Sequence, residues 1–486
     1  MEVHPGLQRR ARDAADWLQR QEEVTVVCHI DADGVSAGAI AAEALERAGI
    51  GHRVEPVKSL DDPTMERLLD AGHDALWFGD LGSAVHDRFG DVPKLVCDHH
   101  QLLAEGAEAF PHVNPLLEGL DGHTEASGAG TAYLVAHALD PANIDLLPMA
   151  LVGGAADLQD RPNKAFVGSN GALVAAGVAA GILTAGPDLG FYGPHVRPLP
   201  KWLGLARDSP VPGVTGHPRD ADRFLSGLGI DPVAAGGTWG ELPETERVKV
   251  RSAIVDRILD CDLGPDAAED LFRQVVEIQA EAAGQPVKEL QSFATLLNAT
   301  ARYDEADVGL AVARGDRDDA YQKALGLLTG HRQHLAGALR AFEGVGVTQH
   351  VAIQTVHLED KVRDTVVGIV CGMALDSLDL RQDLALLGFA HTPDGRTKVS
   401  SRCPRALAGR IDLAAALRDV ASRLGGQGGG HAGAAGATID RGLEEDFAAG
   451  VDAIVAQQLG RRPATPARAA PPSGWRASGA GQTRLV

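Results

Sequence analysis

The chain has 486 residues, of which 44% are hydrophobic and 23% charged, with a formal net charge of −21. That length exceeds one ordinary core and predicts two or three domains. No run nears the roughly 20 apolar residues of a membrane span, and Met1 to Gln21 mixes Arg9, Arg10, Arg12 and Arg20 with acids, lacking a signal peptide's apolar centre. A cytoplasmic protein without membrane association is expected. Five scattered cysteines with no CxxC pair exclude a disulfide framework and a thiolate zinc site. The acidic total would oppose a nucleic-acid partner if the charge were uniform, but it is not. Residues 396–423 carry seven basic side chains against Asp412 and Asp419, and 461–486 carry five arginines and no acid.

In chain order, the first 190 residues alternate short β-rich runs with Ala/Leu-rich stretches, the pattern of a parallel α/β sheet. Strands are predicted at 24–30, 75–79 and 94–97, and helices at 36–48, 131–139 and 147–156. SGAGT at 127–131 lacks a Walker lysine and reads as a helix start rather than a phosphate loop. From 190 to 240 the sequence turns to Gly, Pro and Trp with little periodicity, as expected of a structured insertion or linker. Helices are then predicted at 244–260 and 265–297. The resulting division is a catalytic domain over 1–190, an insertion and helical linker over 191–305, a second domain over 306–460, and a basic tail over 461–486 whose composition predicts disorder. Strands at 351–356, 365–373 and 384–390 and helices at 412–423 and 443–459 are expected in the second domain.

Acids and imidazoles gather at the strand ends. His29, Asp31 and Asp33 follow the first strand at spacings of two, which in extended backbone places them on one face. Asp80 ends the next strand, Asp98, His99 and His100 the one after, and Asp157 follows an apolar helix. In open parallel sheets, sites form beyond the carboxyl ends of the strands. One such Asp alone would ordinarily cap a helix. Four motifs in order on successive elements point instead to a cluster of carboxylates, which resist joint ionisation unless cations neutralise them. Carboxylates with imidazoles suit Mn²⁺, Mg²⁺ or Zn²⁺, and the oxygen-rich set favours Mn²⁺, then Mg²⁺.

HIDADG, GDLGS, DHH and the Asp of GGAADLQD resemble the four motifs of the DHH phosphoesterases. KVSSR at 398–402 and GGQGGGHAGAAG at 425–436 resemble the signature of the accompanying DHHA1 domain. PGVTG and VGIVCGM are similar to archaeal RecJ-like members. The resemblance spans about residues 24–440, and it implies an α/β fold: a parallel-sheet DHH domain, a smaller α/β DHHA1 domain, and an active-site cleft between them. Motif one begins with His29, where bacterial RecJ proteins typically have Asp, which widens the candidate substrates. The family pattern implies one metal held by Asp33, Asp80, His99 and Asp157 and another by His29, Asp31 and Asp80, with Asp80 bridging. It also implies that His100 faces the scissile phosphate, while Asp98 orients an imidazole.

In the second domain, Gly428, Gly429 and Gly430 ahead of His431 form a run that lets backbone amides approach phosphate oxygens. Such a run is ordinarily a linker, but its place between a helix and an apolar segment favours a phosphate-binding loop. Ser400 and Arg402 alternate on a strand-like segment, sharing a face, and Arg offers a forked contact to phosphate. Three functions follow: a RecJ-like exonuclease on single-stranded DNA or RNA, a phosphodiesterase for short oligonucleotides or cyclic dinucleotides, or a replication scaffold resembling the eukaryotic RecJ relative. Intact ligands weigh against a purely scaffolding role, and replication or repair proteins are expected partners beside the nucleic acid.

Overall fold

The computed structural model describes residues 2–206, 210–216, 218–231, 233, 237–261 and 263–461. Beyond Arg461, the basic tail expected to be disordered lies outside these residues. The chain forms two compact units, Met1–Arg332 and Gln333–Val486.

The first unit opens with α1 (Pro5–Leu18), β1 (Glu23–His29), α2 (Ala32–Ala48), β2 (Gly51–Val57), α3 (Asp62–Asp70), β3 (Leu76–Gly79), β4 (Lys94–Cys97) and β5 (His112–Val113). These strands form one parallel sheet in the order β2-β1-β3-β4-β5. Both faces are covered, as parallel sheets require. Val24, Val26, Trp77, Leu95 and Cys97 face one core, while Val27, Leu76, Phe78 and Val96 face another with Met65, Leu68 and Phe89.

The first core is closed by α2 together with α4 (Gly128–Leu139), α5 (Leu147–Ala156) and α6 (Gly168–Ala179). Their alanines and glycines permit close approach: a Cβ at Gly38 would lie 2.7 Å from Cys28 Sγ. Next come β6 (Leu183–Leu189), α7 (Leu199–Gly204), α8 (Pro218–Gly227), α9 (Glu244–Asp260), α10 (Gly264–Glu269) and β7 (Phe272–Ile278). The 190–240 stretch, poor in periodicity, has its own core, in which Trp202 and Trp239 stack at 4.7 Å. β6 and β7 pair antiparallel across its base.

Here the sequence misleads. The helix expected over 265–297 is instead α10, β7 and α11 (Leu290–Ala301), because β6 offers β7 an antiparallel partner. Then α12 (Ala306–Ala313) packs on α2 and α11, so the first unit runs past residue 306 into α13 (Asp319–Val345).

The second unit contains β8 (Thr348–Gln349), β9 (Ile353–Glu359), α14 (Val367–Ser377), β10 (Ala385–His391), β11 (Arg396–Arg402), α15 (Leu413–Arg423), β12 (Gln427–His431), β13 (Ala434–Asp440) and α16 (Glu444–Gln458). Its six-stranded sheet runs β12-β13-β11-β10-β9-β8. Helices α15 and α16 cover one face and α14 the other.

Two elements differ from expectation. The apolar run 365–373 is not a strand but part of α14, where Val367, Val370, Cys371 and Ala374 fall at helical spacing onto the core. The glycine run 428–431 is not a loop but the edge strand β12, held by pairing with β13.

Candidate metal centre

The strand order 2-1-3-4-5 reverses direction between β1 and β3, and ligands in open α/β sheets bind beyond the carboxyl ends at that point. His29 is the last residue of β1 and Asp80 follows β3. His29 Nδ1 lies 3.4 Å from Asp80 Oδ2 and 3.0 Å from Asp31 Oδ2.

The three residues of motif one do not share an extended segment. Asp31 is the N-cap of α2, its Oδ1 accepting from Gly34 N at 3.0 Å, and Asp33 lies in the first helical turn. The turn of the helix, rather than strand alternation, brings them together. Asp33 is wholly buried, and its carboxylate accepts from Gly128 N (2.7 Å) and Ala129 N (2.9 Å) at the start of α4. A helix N-terminus stabilises such an anion. SGAGT therefore starts a helix, with Ser127 as its cap, and also seats an acidic side chain.

His99, after β4, completes the cluster. Its Nδ1 donates to Gly122 O at 2.6 Å, and Gln159 Nε2 donates to the same carbonyl at 3.0 Å. That fixes the ring with Nε2 inward, 3.1 Å from Asp157 Oδ2, 3.3 Å from Asp80 Oδ1 and 3.8 Å from Asp33 Oδ2. Three sets of ligand atoms thus gather within 4.8 Å: His29, Asp31 and Asp80; Asp33, His99 and Asp157; and Asp80, His99 and His100. Asp80 joins the first and last of these. The six residues expected from the motifs stand together at one sheet edge.

The electrostatics call for cations. Burial, with Asp80 and Asp157 nearby, pushes the Asp33 carboxyl well above its usual range, and burial raises Asp157 as well. Burial also opposes ionisation of Asp80, but the imidazoles of His29 and His99 outweigh it and hold this carboxyl well below the usual range. Burial alone would lower His29 and His99, yet both are raised: His29 by Asp31 and Asp80, His99 by Asp157 and Asp80. Asp80 Oδ1 and His99 Nε2 are buried and neither makes a hydrogen bond among the described residues. Orphaned lone pairs aimed into one small space fit divalent cations, which carboxylate and imidazole donors hold well.

His100 is half exposed and Asp98 fully buried. Asp98 Oδ1 accepts from His100 Nδ1 at 2.8 Å, which leaves the His100 Nε2 edge free of that contact. One residue escaped the sequence reading. Arg302, the C-cap of α11, lies in the field of Asp31 with no ion pair among the described residues, and burial pulls its guanidinium below the usual range. The i, i+4 spacing from Asn298, whose Oδ1 accepts from Ala32 N at 3.1 Å, was the available signal.

In the second unit, Lys398, Ser400 and Arg402 alternate along β11 on the α14 face. Arg402 has no acidic partner among the described residues; its Nη1 donates to Ser401 O at 2.8 Å. Gly368 and Gly372 make room for it: a Cβ at Gly368 would sit 2.8 Å from Arg402 Nη2. Ser400 pairs with Gly436, which pairs with Gly429, so a strip without side chains runs across two strands beside Ser400. Gly428 faces the other way, against Leu417 O, and Gly430 has φ +127° beside the exposed His431. Lys398, missed in the sequence, follows from the alternation that places Ser400 and Arg402.

Residues 191–272 match the DHH-CID domain and residues 348–457 the DHHA1 domain. The chain carries domains of the DHH/DHHA1 superfamily. This DHH/DHHA1 protein is 25% identical over 449 residues to an uncharacterised protein of Methanocaldococcus jannaschii, covering 90% of the chain and 94% of the relative. Among solved structures, RecJ from Thermus thermophilus in complex with Mn²⁺ matches with TM-score 0.57 at 21% identity over 94% of the chain. The chain spans 55% of that longer protein. An exonuclease RecJ bound to manganese matches with TM-score 0.55 at 19% identity, covering 94% of this chain and 96% of that one. CDC45 from Entamoeba histolytica gives TM-score 0.62 at 11% identity, with 93% and 97% covered. The DHH/DHHA1 protein thus has a RecJ-like fold, and among its described residues no helix is long and apolar enough to cross a membrane.

Proposed function

We propose that this protein is a two-metal-dependent phosphodiesterase of the cytoplasm, a RecJ-like exonuclease releasing mononucleotides from single-stranded DNA or RNA. The observation that carries this reading is the convergence of Asp80 on both His29 and His99 at the topological switch point. In it, Asp33, Asp80, His99 and Asp157 hold one cation, and His29, Asp31 and Asp80 the other, with Mn²⁺ favoured over Mg²⁺. Such cations would supply charge neutralisation on the phosphoryl oxygens and activation of the attacking water.

The side chains do the rest. His100, aimed by Asp98, faces the scissile phosphate and stabilises its charge or protonates the leaving oxygen. Ser400 and Arg402, with Lys398 beside them, grip a phosphate of the substrate, and of the run Gly428, Gly429, Gly430 and His431 it is Gly429 and His431 that line its path. The likeness to CDC45 favours a second role, attachment to replication or repair proteins, alongside catalysis rather than instead of it. The test is hydrolysis of end-labelled single-stranded DNA, single-stranded RNA, blunt duplex and a dinucleotide, with and without Mn²⁺. Mn²⁺-dependent mononucleotide release from the single strands is expected, with duplex resisted. Cleavage of dinucleotides with 20-mers untouched would favour the small-substrate function instead.

A further inference from the structure

We propose that Asn114 is a positioning residue for His100, acting together with Ser83 and Asp98. This rests on the reading of His100 as the group facing the scissile phosphate. His100 follows a strand end, and its side chain is 49% exposed, so burial alone does not fix its rotamer. Hydrogen bonds do. Asp98 Oδ1 accepts from both the backbone N (3.2 Å) and ring Nδ1 (2.8 Å) of His100. The His100 carbonyl accepts from Asn114 Nδ2 at 3.0 Å.

The orientation of the Asn114 amide is itself determined. Its Oδ1 accepts from Leu116 N at 2.9 Å, so Nδ2 must face the other way, and its second proton goes to Ser83 Oγ at 2.9 Å. Ser83 Oγ is also hydrogen-bonded to Nε2 of buried His112 at 2.9 Å. Burial lowers His112 to about 4, so the ring is uncharged at neutral pH. Ser83 N in turn donates to Asp98 Oδ2 at 3.0 Å. Asn114 and Ser83 are fully buried, and together they hold the carbonyl of His100 and the carboxylate that aims its ring. Misplacing a reacting group by about 1 Å can cost a factor on the order of a hundred in rate.

A merely structural role is available, because Asn114 also caps the turn at 115–118. Asn114→Asp separates the two: a carboxylate still accepts from Leu116 N, but donates neither bond. Asn114→Asp and Asn114→Ala should both lower kcat on a labelled single strand by about tenfold or more. KM and metal stoichiometry should stay within about twofold, because neither bond touches a proposed ligand or the phosphate grip. In a His100→Ala background the same substitutions should change kcat by less than about twofold, since residues acting as one unit are not additive.

Wild-type kcat in Asn114→Asp would overturn the proposal and leave only the cap. So would an undiminished loss in the His100→Ala background. Should the asparagine variants fail to fold, Ser83→Ala carries the test, since it keeps the backbone donor to Asp98 and cuts only the Oγ link. A loss of about threefold that vanishes without His100 is expected, and no loss in either background overturns the proposal. A wild-type protein that cleaves no phosphodiester would defeat the functional reading itself, a result distinct from any variant failing to differ.

Discussion

Asp80 carries an unusual backbone for a side-chain-bearing residue, with φ +61°. Such a conformation costs of order 1 kcal/mol or more and persists where its surroundings fix it. Here Asp80 N donates to Cys97 O at 2.8 Å, turning the carboxylate toward His29 and His99. Asp80→Ala should therefore lower hydrolysis by at least about a thousandfold with saturating Mn²⁺, because both proposed metal positions would lose a ligand. Retention of a tenth of wild-type turnover would contradict the bridging assignment. The imidazoles give a pH prediction. With pKa values raised in the metal-free protein, His29 and His99 keep protons near neutrality that a cation must displace, and Asp33 and Asp157 are raised in the same direction. Binding thus releases protons, and apparent metal affinity should strengthen as pH rises and weaken on acidification. Calorimetry in two buffers of different ionisation enthalpy measures the release; identical heats would refute it. The six side chains that gather at the sheet edge were legible because acids and histidines at successive strand ends are rare by chance. Arg302 was not, since a lone arginine gains meaning only when folding places it beside Asp31.

Helices α2, α4 and α5 decide how closely those residues approach. A Cβ on Gly153 would stand 2.0 Å from Asp33 Oδ1 and 2.6 Å from Ala129 Cβ, so α5 can pass this point only without a side chain. Gly153→Ala should destabilise the fold by about 1–3 kcal/mol through overpacking and should also displace Asp33. Thermal melting and metal stoichiometry report the two effects, and an unchanged Tm with full metal content would refute the close-packing account. Elements with a single strong period were readable from the sequence: β4 and α5 span the residues expected. Those that failed were ambiguous runs settled by a distant partner. VGIVCGM suits a buried strand as well as a helix until its glycines must clear Arg402. GGGH reads as a loop until β13 pairs with it. Asp33 looks like strand alternation until Asp31 caps a helix two residues earlier.

At the scale of the whole molecule, the net charge of −21 hides a local basic surface on β11 and its flanks. Arg402→Ala and His431→Ala should keep their bound metal, since neither belongs to the cluster at the sheet edge of the first unit. Each should weaken substrate binding by about 1–3 kcal/mol through a lost charge-assisted contact. The plot of log affinity against log salt should flatten by roughly 0.7 for each phosphate contact removed. Binding isotherms at several salt concentrations, paired with metal analysis, check this, and metal depletion in His431→Ala would place that histidine among the ligands. The division of the chain was less legible than the gathering of its acids and histidines. A boundary near 306 follows the change in composition, but α12 completes the helical layer over α2, so the first unit continues into α13.

The cluster is also lopsided. Asp33 and His99, on one side of Asp80, are buried and only Asp157 beside them reaches solvent, whereas the Asp31 and His29 side chains on the other are 36% and 31% exposed. An ion on the more buried side would meet solvent only at Asp157, while its neighbour could trade ligands for water at both Asp31 and His29. The two positions should therefore differ in residence time. During chelation with a weak competitor, one equivalent of metal should depart quickly and the other slowly, as two phases in a stopped-flow trace. A single phase accounting for both ions would show that the buried wall does not slow release.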